Sequence, residues 1–178
     1  MSLEIERKFL IEMPNLKWIR ENTDCTVAGI IQTYLGKNEA GFGNRVRRMK
    51  INGTMKYYHT AKKSVSGITR IEIEKEISKE EYEKYLSKKR KIISLRKTRY
   101  TIKANNLKYE IDIYPFWKHT AILEIELSTI SNDFSAIILV NPHLHSSLIS
   151  ALPNLVSLSY TQLPPHIRYA IQERHSLI

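Results

Sequence analysis

The chain has 178 residues, a length that suits one domain able to bury its own core. Its 28 lysines and arginines outnumber its 18 aspartates and glutamates, and the formal net charge of +10 predicts an anionic partner such as a phosphorylated small molecule, nucleic acid or a membrane surface. The single cysteine excludes an internal disulfide framework and fits a reducing compartment, and no signal sequence or long apolar run is visible, so we expect a soluble, cytoplasmic protein.

Segments in which charged and apolar residues alternate predict strands with one polar and one apolar face. In chain order, these segments cover residues 3–11, 26–35, 42–51, 54–62, 68–77, 92–102, 107–114 and 121–127. Turn signals separate several of them, and Asn52-Gly53 is a strong signal for a two-residue hairpin. Strands that are neighbours in sequence should therefore pair antiparallel.

Two segments interrupt the strand pattern and predict helices. One covers residues 15–22, and the other runs from residue 78 to about residue 89, where Ser78 and Glu81 form a capping box. The composition changes after residue 128, because Asp133 is the only acidic or basic residue between residues 128 and 167 when histidine is counted as neutral. We expect one domain over residues 1–178, with its core at 2–128 and a helical or irregular tail at 129–178 that can include a final helix at 165–175.

The most informative pattern is the recurrence of charged residues at alternate positions on nearly every predicted strand. An open sheet with one wet face would show the same alternation on any single strand. Repeated carboxylate pairs on several strands instead favour a closed sheet with a charged interior, which is costly unless a ligand fills it. A polyphosphate with divalent cations fits, because arginine and lysine bind phosphate oxygens while carboxylates are the ligands that magnesium or manganese prefers.

Charged motifs in a particular order carry a resemblance to a known family. The first strand contains Glu4-Ile5-Glu6-Arg7-Lys8, which resembles the E-x-E-x-K signature of the CYTH family, also called the triphosphate tunnel metalloenzymes. The later motifs, which keep the family's order over residues 2–128, are Gln32-Thr33-Tyr34-Leu35, Arg45-Val46-Arg47, Lys62, Arg70-Ile71-Glu72-Ile73-Glu74, Lys97-Thr98-Arg99, Glu110-Ile111-Asp112 and Glu124-Ile125-Glu126. The ordered set is much more specific than the first motif alone.

The resemblance implies an α+β fold that is mainly β, with a closed eight-stranded antiparallel barrel and flanking helices. It implies substrate-binding side chains at Lys8, Arg45, Arg47, Lys62, Arg70, Lys97 and Arg99, although Arg70 is equally suited to pairing with a nearby acid. It implies ligands for Mg²⁺ or Mn²⁺ at Glu4, Glu6, Asp112, Glu124 and Glu126. It implies catalytic roles for Glu4, Lys8, Glu72 and Glu74, the carboxylates positioning a second metal or the attacking water.

The expected reaction is metal-dependent hydrolysis of inorganic tripolyphosphate to pyrophosphate and phosphate. Three alternatives stay open: a class IV adenylyl cyclase that forms cyclic AMP from ATP, a thiamine or nucleoside triphosphatase, and a polyphosphate-binding module without catalysis. Acids share faces with the basic residues, which argues against nucleic acid as the partner. We expect no membrane partner, and a homodimer stays open. The tail lacks the acidic carboxy-terminal helix and closing tyrosine pattern of bacterial members, which leaves substrate selectivity open.

Overall fold

A computed structural model describes residues 2–66, 69–88, 93–104, 107–127 and 156–157. Its elements in chain order are β1 (Ser2–Glu12), α1 (Leu16–Asn22), β2 (Cys25–Lys37), β3 (Gly43–Ile51), β4 (Thr54–Ser66), β5 (Thr69–Ile77), α2 (Lys79–Ser87), β6 (Ile93–Ala104), β7 (Leu107–Ile113), β8 (Thr120–Leu127) and β9 (Val156–Ser157). The predicted strands and the two predicted early helices are confirmed, with differences of a few residues at their ends. The predicted final helix at 165–175 lies outside the described residues.

The strands form one sheet in the order β5-β4-β3-β2-β6-β7-β8-β1-β9, and a further pairing between β5 and β1 closes it. The predicted fold class is therefore confirmed, since the protein is mainly β, with a closed barrel of eight long antiparallel strands and two short helices. The short strand β9 pairs with β1 at Phe9 and Leu10. Neither helix of the described chain has the length and apolar character needed to span a bilayer.

The chain divides into two compact units. The first unit contains residues 2–4 and 28–97, and the second contains residues 5–27 and the described residues from 98 onward to 157. The first therefore carries β3, β4, β5 and α2, and the second carries α1, β7, β8 and most of β1. The expected organisation as a single domain stays a prediction.

In the first unit, α2 packs on the apolar face of β3 and β4. The helix begins at the predicted capping box, in which the Ser78 side chain accepts a hydrogen bond from the Glu81 backbone N–H and the Glu81 side chain accepts one from the Ser78 backbone N–H. Tyr82 of the helix is buried in a cluster with Val46 of β3, and Tyr57 of β4 packs against that cluster. Val46 and Tyr57 therefore lie on the face under the helix, and Arg45, Arg47 and Lys62 lie on the opposite face.

His59 lies in the contact between α2 and β4, and it predicts that the stability of the protein depends on pH. The His59 ring stacks on Tyr85 of α2 with ring centroids 4.8 Å apart, and its Nε2 lies 3.0 Å from Oδ1 of Asn44. Burial lowers the pKa of His59, so the unfolded chain binds the proton more tightly than the folded protein does. The contribution of His59 to the free energy of unfolding is therefore fully present above the unfolded pKa of about 6.5, and it declines as the pH falls below that value.

We predict that His59→Phe, which keeps an aromatic ring but cannot bind a proton, flattens the pH dependence of stability. The measurement is urea unfolding at a series of pH values between about 5 and 7.5, spanning the histidine's ordinary pKa. Equal slopes of unfolding free energy against pH in the wild type and the variant would contradict this role of His59.

In the second unit, α1 contacts the face of β6 that carries Tyr100. Asn15 caps the helix, because its Oδ1 accepts a hydrogen bond of 3.0 Å from the Trp18 backbone N–H. Ile19 is fully buried, and Arg20 donates a hydrogen bond to the Tyr100 hydroxyl, with its guanidinium 5.2 Å from the centroid of that ring. Because successive side chains of a strand alternate, the residues on either side of Tyr100 belong to the other face of β6.

Candidate active site

Charged side chains recur on one face of each unit, opposite the face that the helix contacts. In the first unit they form the basic cluster, which we define as Arg45, Arg47, Lys62, Glu72 and Glu74. In the second unit they form the acidic cluster, which we define as Glu6, Lys8, Arg99, Lys108, Glu110, Asp112, Glu124 and Glu126. Cations outnumber carboxylates in the basic cluster, and carboxylates outnumber cations in the acidic cluster.

In the basic cluster, Glu74 accepts hydrogen bonds from two side chains. Arg47 Nη2 forms an ion pair with Glu74 Oε2, and the Thr60 hydroxyl donates to the same oxygen at 2.8 Å. Thr60 is fully buried and Arg47 is 7% exposed, whereas the side chain of Glu74 is 33% exposed. The carboxylate is therefore fixed by one oxygen while it remains accessible to solvent.

The other members of the basic cluster differ in how their charges are satisfied. Lys62 and Glu72 are direct partners across β4 and β5 and form a largely buried ion pair. Arg45 Nη1 lies 3.3 Å from Oε1 of Gln32. Among the described residues, no carboxylate forms an ion pair with Arg45, and its buried Nε–H has no hydrogen-bond acceptor. Arg45 therefore retains hydrogen-bonding capacity for an anionic ligand.

Arg99 connects three carboxylates of the acidic cluster. Its guanidinium donates to the two oxygens of Asp112 at 2.6 Å each, to Oε2 of Glu124 at 2.9 Å, and to Oε2 of Glu110. Asp112 is fully buried. Burial opposes the charged form of Arg99, but Glu124, Asp112 and Glu110 raise its pKa well above the ordinary value. Arg99 thus stays protonated, and carboxylates occupy four of its five N–H donors.

Lys8 lies between Glu124, which also contacts Arg99, and Glu6. Its Nζ forms an ion pair with Oε1 of Glu124 and lies 3.4 Å from Oε1 of Glu6. The strand register explains this, because Lys8 is the direct partner of Glu124 across β1 and β8, and Glu6 is two residues away on the same face. The ammonium group therefore reduces the repulsion between these two carboxylates in the absence of a ligand.

Sequence reasoning did not assign roles to Lys108, Glu110 or Thr60. Lys108 Nζ lies 2.8 Å from Oε1 of Glu110 and 3.1 Å from Oε2 of Glu126. Burial opposes the charged form of Lys108, but these two carboxylates raise its pKa above the ordinary value. Lys108 and Glu110 share their strand face with Asp112, so the alternation alone is a signal that identifies them. Thr60 has no charge, and a search for charged residues does not find it.

For three predicted site residues, the structure gives the strand on which each lies but does not test the predicted role. Glu4 lies on β1, but its side chain is outside the described residues. Lys97 is 5% exposed on β6, and Arg70 is partly buried on β5, opposite Ser64 of β4. Their assigned roles in binding substrate or metal stay predictions.

The acidic cluster has the chemistry of a divalent-metal site, since carboxylate oxygens are the ligands that Mg²⁺ and Mn²⁺ prefer. Within the described ranges, no three Asp, Glu, His or Cys side chains are already arranged around a common point that suits a metal. Lys8 instead contacts Glu6 and Glu124. The residues fit a divalent ion because carboxylates exceed cations here, and a metal ion bound by Glu6 and Glu124 would replace the Lys8 ammonium.

No protein-family model and no curated protein matches the chain. Several solved structures are similar to it. The PH1819 protein from Pyrococcus horikoshii OT3 has a TM-score of 0.56 and 18% identity, covering 88% of this chain and 96% of that chain. The PH1012 protein from the same organism has a TM-score of 0.56 and 21% identity, with coverage of 86% and 96%.

A third similar structure is HpAC1 from Hippeastrum, described as a putative adenylyl cyclase with a dominant triphosphatase activity. Its TM-score is 0.50 at 14% identity, and the match covers 93% of this chain and 98% of that chain. The chain has the CYTH-type triphosphate tunnel fold. At these identities the likeness establishes the CYTH-type fold alone, so the reaction has to be argued from the residues of this chain.

Proposed function

We propose that the protein is a divalent-metal-dependent hydrolase of triphosphates, with inorganic tripolyphosphate as its preferred substrate and pyrophosphate and phosphate as products. The main support is that the polar face of each unit carries cations and carboxylates that form largely buried ion pairs. Such faces suit a ligand that is itself anionic phosphate combined with a cation. The structural likeness to HpAC1, which is described as having triphosphatase activity, supports the same class of reaction.

In this proposal the basic cluster binds the phosphates. Arg45 supplies a buried N–H that has no acceptor among the described residues. Arg47 and Lys62 exchange their carboxylate partners for phosphate oxygens, so each keeps a charge-assisted hydrogen bond after the substrate binds. Lys97 and Arg70 are the further phosphate ligands that we propose.

The acidic cluster supplies the metal ligands. Glu6, Glu124 and Glu126 are the proposed ligands, together with Glu4. Asp112 belongs to the predicted ligand set, but both of its oxygens bind Arg99, so we assign it to orienting that guanidinium. When bound, a divalent ion neutralises the negative charge on the phosphoryl oxygens and thereby lowers the barrier to their attack by water.

We propose that the Glu74 carboxylate positions the attacking water. Its side chain is 33% exposed and is held by donors to one oxygen, whereas Glu72 is 13% exposed and paired with Lys62. A water molecule that donates a hydrogen bond to Glu74 would be aligned for in-line attack on the terminal phosphoryl group. The mechanism requires no covalent nucleophile.

The Lys8→Met variant tests whether the ammonium group and a metal ion compete for the same carboxylates. We predict that Mn²⁺ binds the substrate-free variant about tenfold more tightly than the wild type, because no ammonium has to be displaced from Glu6 and Glu124. Isothermal titration calorimetry measures this affinity, and a parallel titration with tripolyphosphate in chelator should show weaker binding by the variant. Lys17→Met is the control, since Lys17 is exposed and forms its ion pair with Glu21 within α1. Unchanged or weaker Mn²⁺ binding by Lys8→Met would contradict the proposed competition.

An adenylyl cyclase is the second candidate, because HpAC1 is described as a putative member of that class. The two reactions give different products from ATP, since hydrolysis of the terminal phosphate yields ADP and phosphate, whereas cyclisation yields cyclic AMP and pyrophosphate. Chromatography of ATP incubated with the protein and Mn²⁺ distinguishes them. Cyclic AMP as the main product would contradict the proposed hydrolase function.

A further inference from the structure

Thr60 is an uncharged residue at the centre of the basic cluster. The strand register makes it the direct partner of Arg45 on one side and of Glu74 on the other. It is fully buried, and its hydroxyl donates to Oε2 of Glu74 at 2.8 Å. A threonine hydroxyl in a buried strand needs a hydrogen-bond acceptor, and here the acceptor is a carboxylate of the candidate site.

Arg47 and Thr60 donate to the same oxygen of Glu74. Among the described residues, neither of them nor any other side chain donates to Oε1, and the Glu74 side chain is 33% exposed. One oxygen therefore fixes the orientation of the carboxylate, and the other can accept a hydrogen bond from water.

The two donors differ in what happens when a phosphate binds. The Arg47 guanidinium is a strong phosphate ligand, so in the proposed function it turns from Glu74 to the substrate. The Thr60 hydroxyl carries no charge and remains directed at Glu74. We propose that Thr60 is a positioning residue that holds Glu74 in place for the attacking water while Arg47 binds phosphate. This inference rests on the proposed hydrolase function.

The test compares variants that differ mainly in one hydroxyl group. Thr60→Val has nearly the same shape and lacks the hydroxyl, Thr60→Ser keeps it, and Thr33→Val is the matched control. Thr33 is also a buried threonine on a strand, and its hydroxyl contacts Ser94 Oγ at 2.8 Å instead of a carboxylate. Thermal unfolding checks that each variant is folded, and Thr60→Ala replaces Thr60→Val if the valine variant does not fold.

We expect Thr60→Val to lower kcat for tripolyphosphate by about 10- to 100-fold while KM changes by less than about threefold. Thr60→Ser should restore most of kcat, and Thr33→Val should behave as the wild type. Because Thr60 acts through Glu74, Thr60→Val should have no further effect in a Glu74→Gln background. Wild-type kcat in Thr60→Val, equal losses in all three single variants, or an additive loss in the double variant would overturn the proposal.

A structural measurement separates a failure of this inference from a failure of the proposed function. Crystals of the wild type, Thr60→Val and Thr60→Ser with bound tripolyphosphate show where the Glu74 carboxylate lies. We expect one position in the wild type and Thr60→Ser, and a displaced or divided carboxylate in Thr60→Val. If the carboxylate is not displaced in Thr60→Val, the positioning role of Thr60 is overturned, whether or not the protein hydrolyses tripolyphosphate. If none of the variants nor the wild type hydrolyses tripolyphosphate, the proposed hydrolase function is contradicted, and the crystal structures still test the role of Thr60.

Discussion

Replacing Arg99 with methionine should lower the free energy of unfolding by about 3–5 kcal/mol, the cost typical of removing one partner from a buried ion pair. Methionine keeps much of the length of the side chain but has no charge and no donors. The variant therefore leaves Asp112, Glu110 and Glu124 close together without the guanidinium that connects them. Asp112 is fully buried, so its negative charge has little compensation from water. Urea unfolding at neutral pH measures the effect.

Arg48→Met is the matched control for this prediction. Arg48 lies on β3 with its side chain exposed, so its replacement should change the free energy of unfolding by less than about 0.5 kcal/mol. A loss of less than about 1 kcal/mol in Arg99→Met would show that the carboxylates do not depend on Arg99. That result would instead favour the role of phosphate ligand that the family resemblance implies for Arg99.

The Glu124→Gln variant should lower the rate of tripolyphosphate hydrolysis by about 100-fold or more. Glu124 contacts both Lys8 and Arg99 and is one of the proposed metal ligands. Glutamine preserves the shape of the side chain but removes its charge, so metal affinity should fall together with activity. Phosphate release at saturating Mg²⁺ or Mn²⁺, together with calorimetric titration of the metal, measures both effects.

Glu83→Gln is the control for this substitution. Glu83 lies on α2 in an exposed pair with Lys79, in which each side chain is 62% exposed, and it should therefore leave hydrolysis unchanged. Circular dichroism of both variants should match that of the wild type. Full activity with unaltered metal affinity in Glu124→Gln would contradict the assignment of metal ligands in the acidic cluster.

Much of the fold follows from local patterns in the sequence. Alternation of charged and apolar residues depends only on the period of a strand, so it correctly predicted the strands and put Arg45 with Arg47, and Glu124 with Glu126, on common faces. The Asn52-Gly53 turn was also predictable, because both residues adopt positive φ angles, 49° and 83°, that asparagine and glycine tolerate.

The partners of each charged side chain could not be predicted, because they depend on register between strands that are distant in sequence. Arg99 contacts Glu124, which is 25 residues later in the chain, and Lys8 contacts the same carboxylate from 116 residues earlier. Alternation gives the face on which a residue lies, but it does not show which cation on that face lies beside which carboxylate. Thr60 was missed for a different reason, because only its position beside Glu74 gives its hydroxyl a role.

Hydrolysis of triphosphates with the help of a divalent metal ion is the function that we propose for this protein. The most direct measurement is phosphate release from tripolyphosphate, ATP and thiamine triphosphate side by side, each with Mg²⁺, with Mn²⁺ and with chelator. We predict release that depends on metal and is fastest with tripolyphosphate. No release from any of the three substrates, together with tight binding of tripolyphosphate, would contradict the claim and indicate a polyphosphate-binding protein.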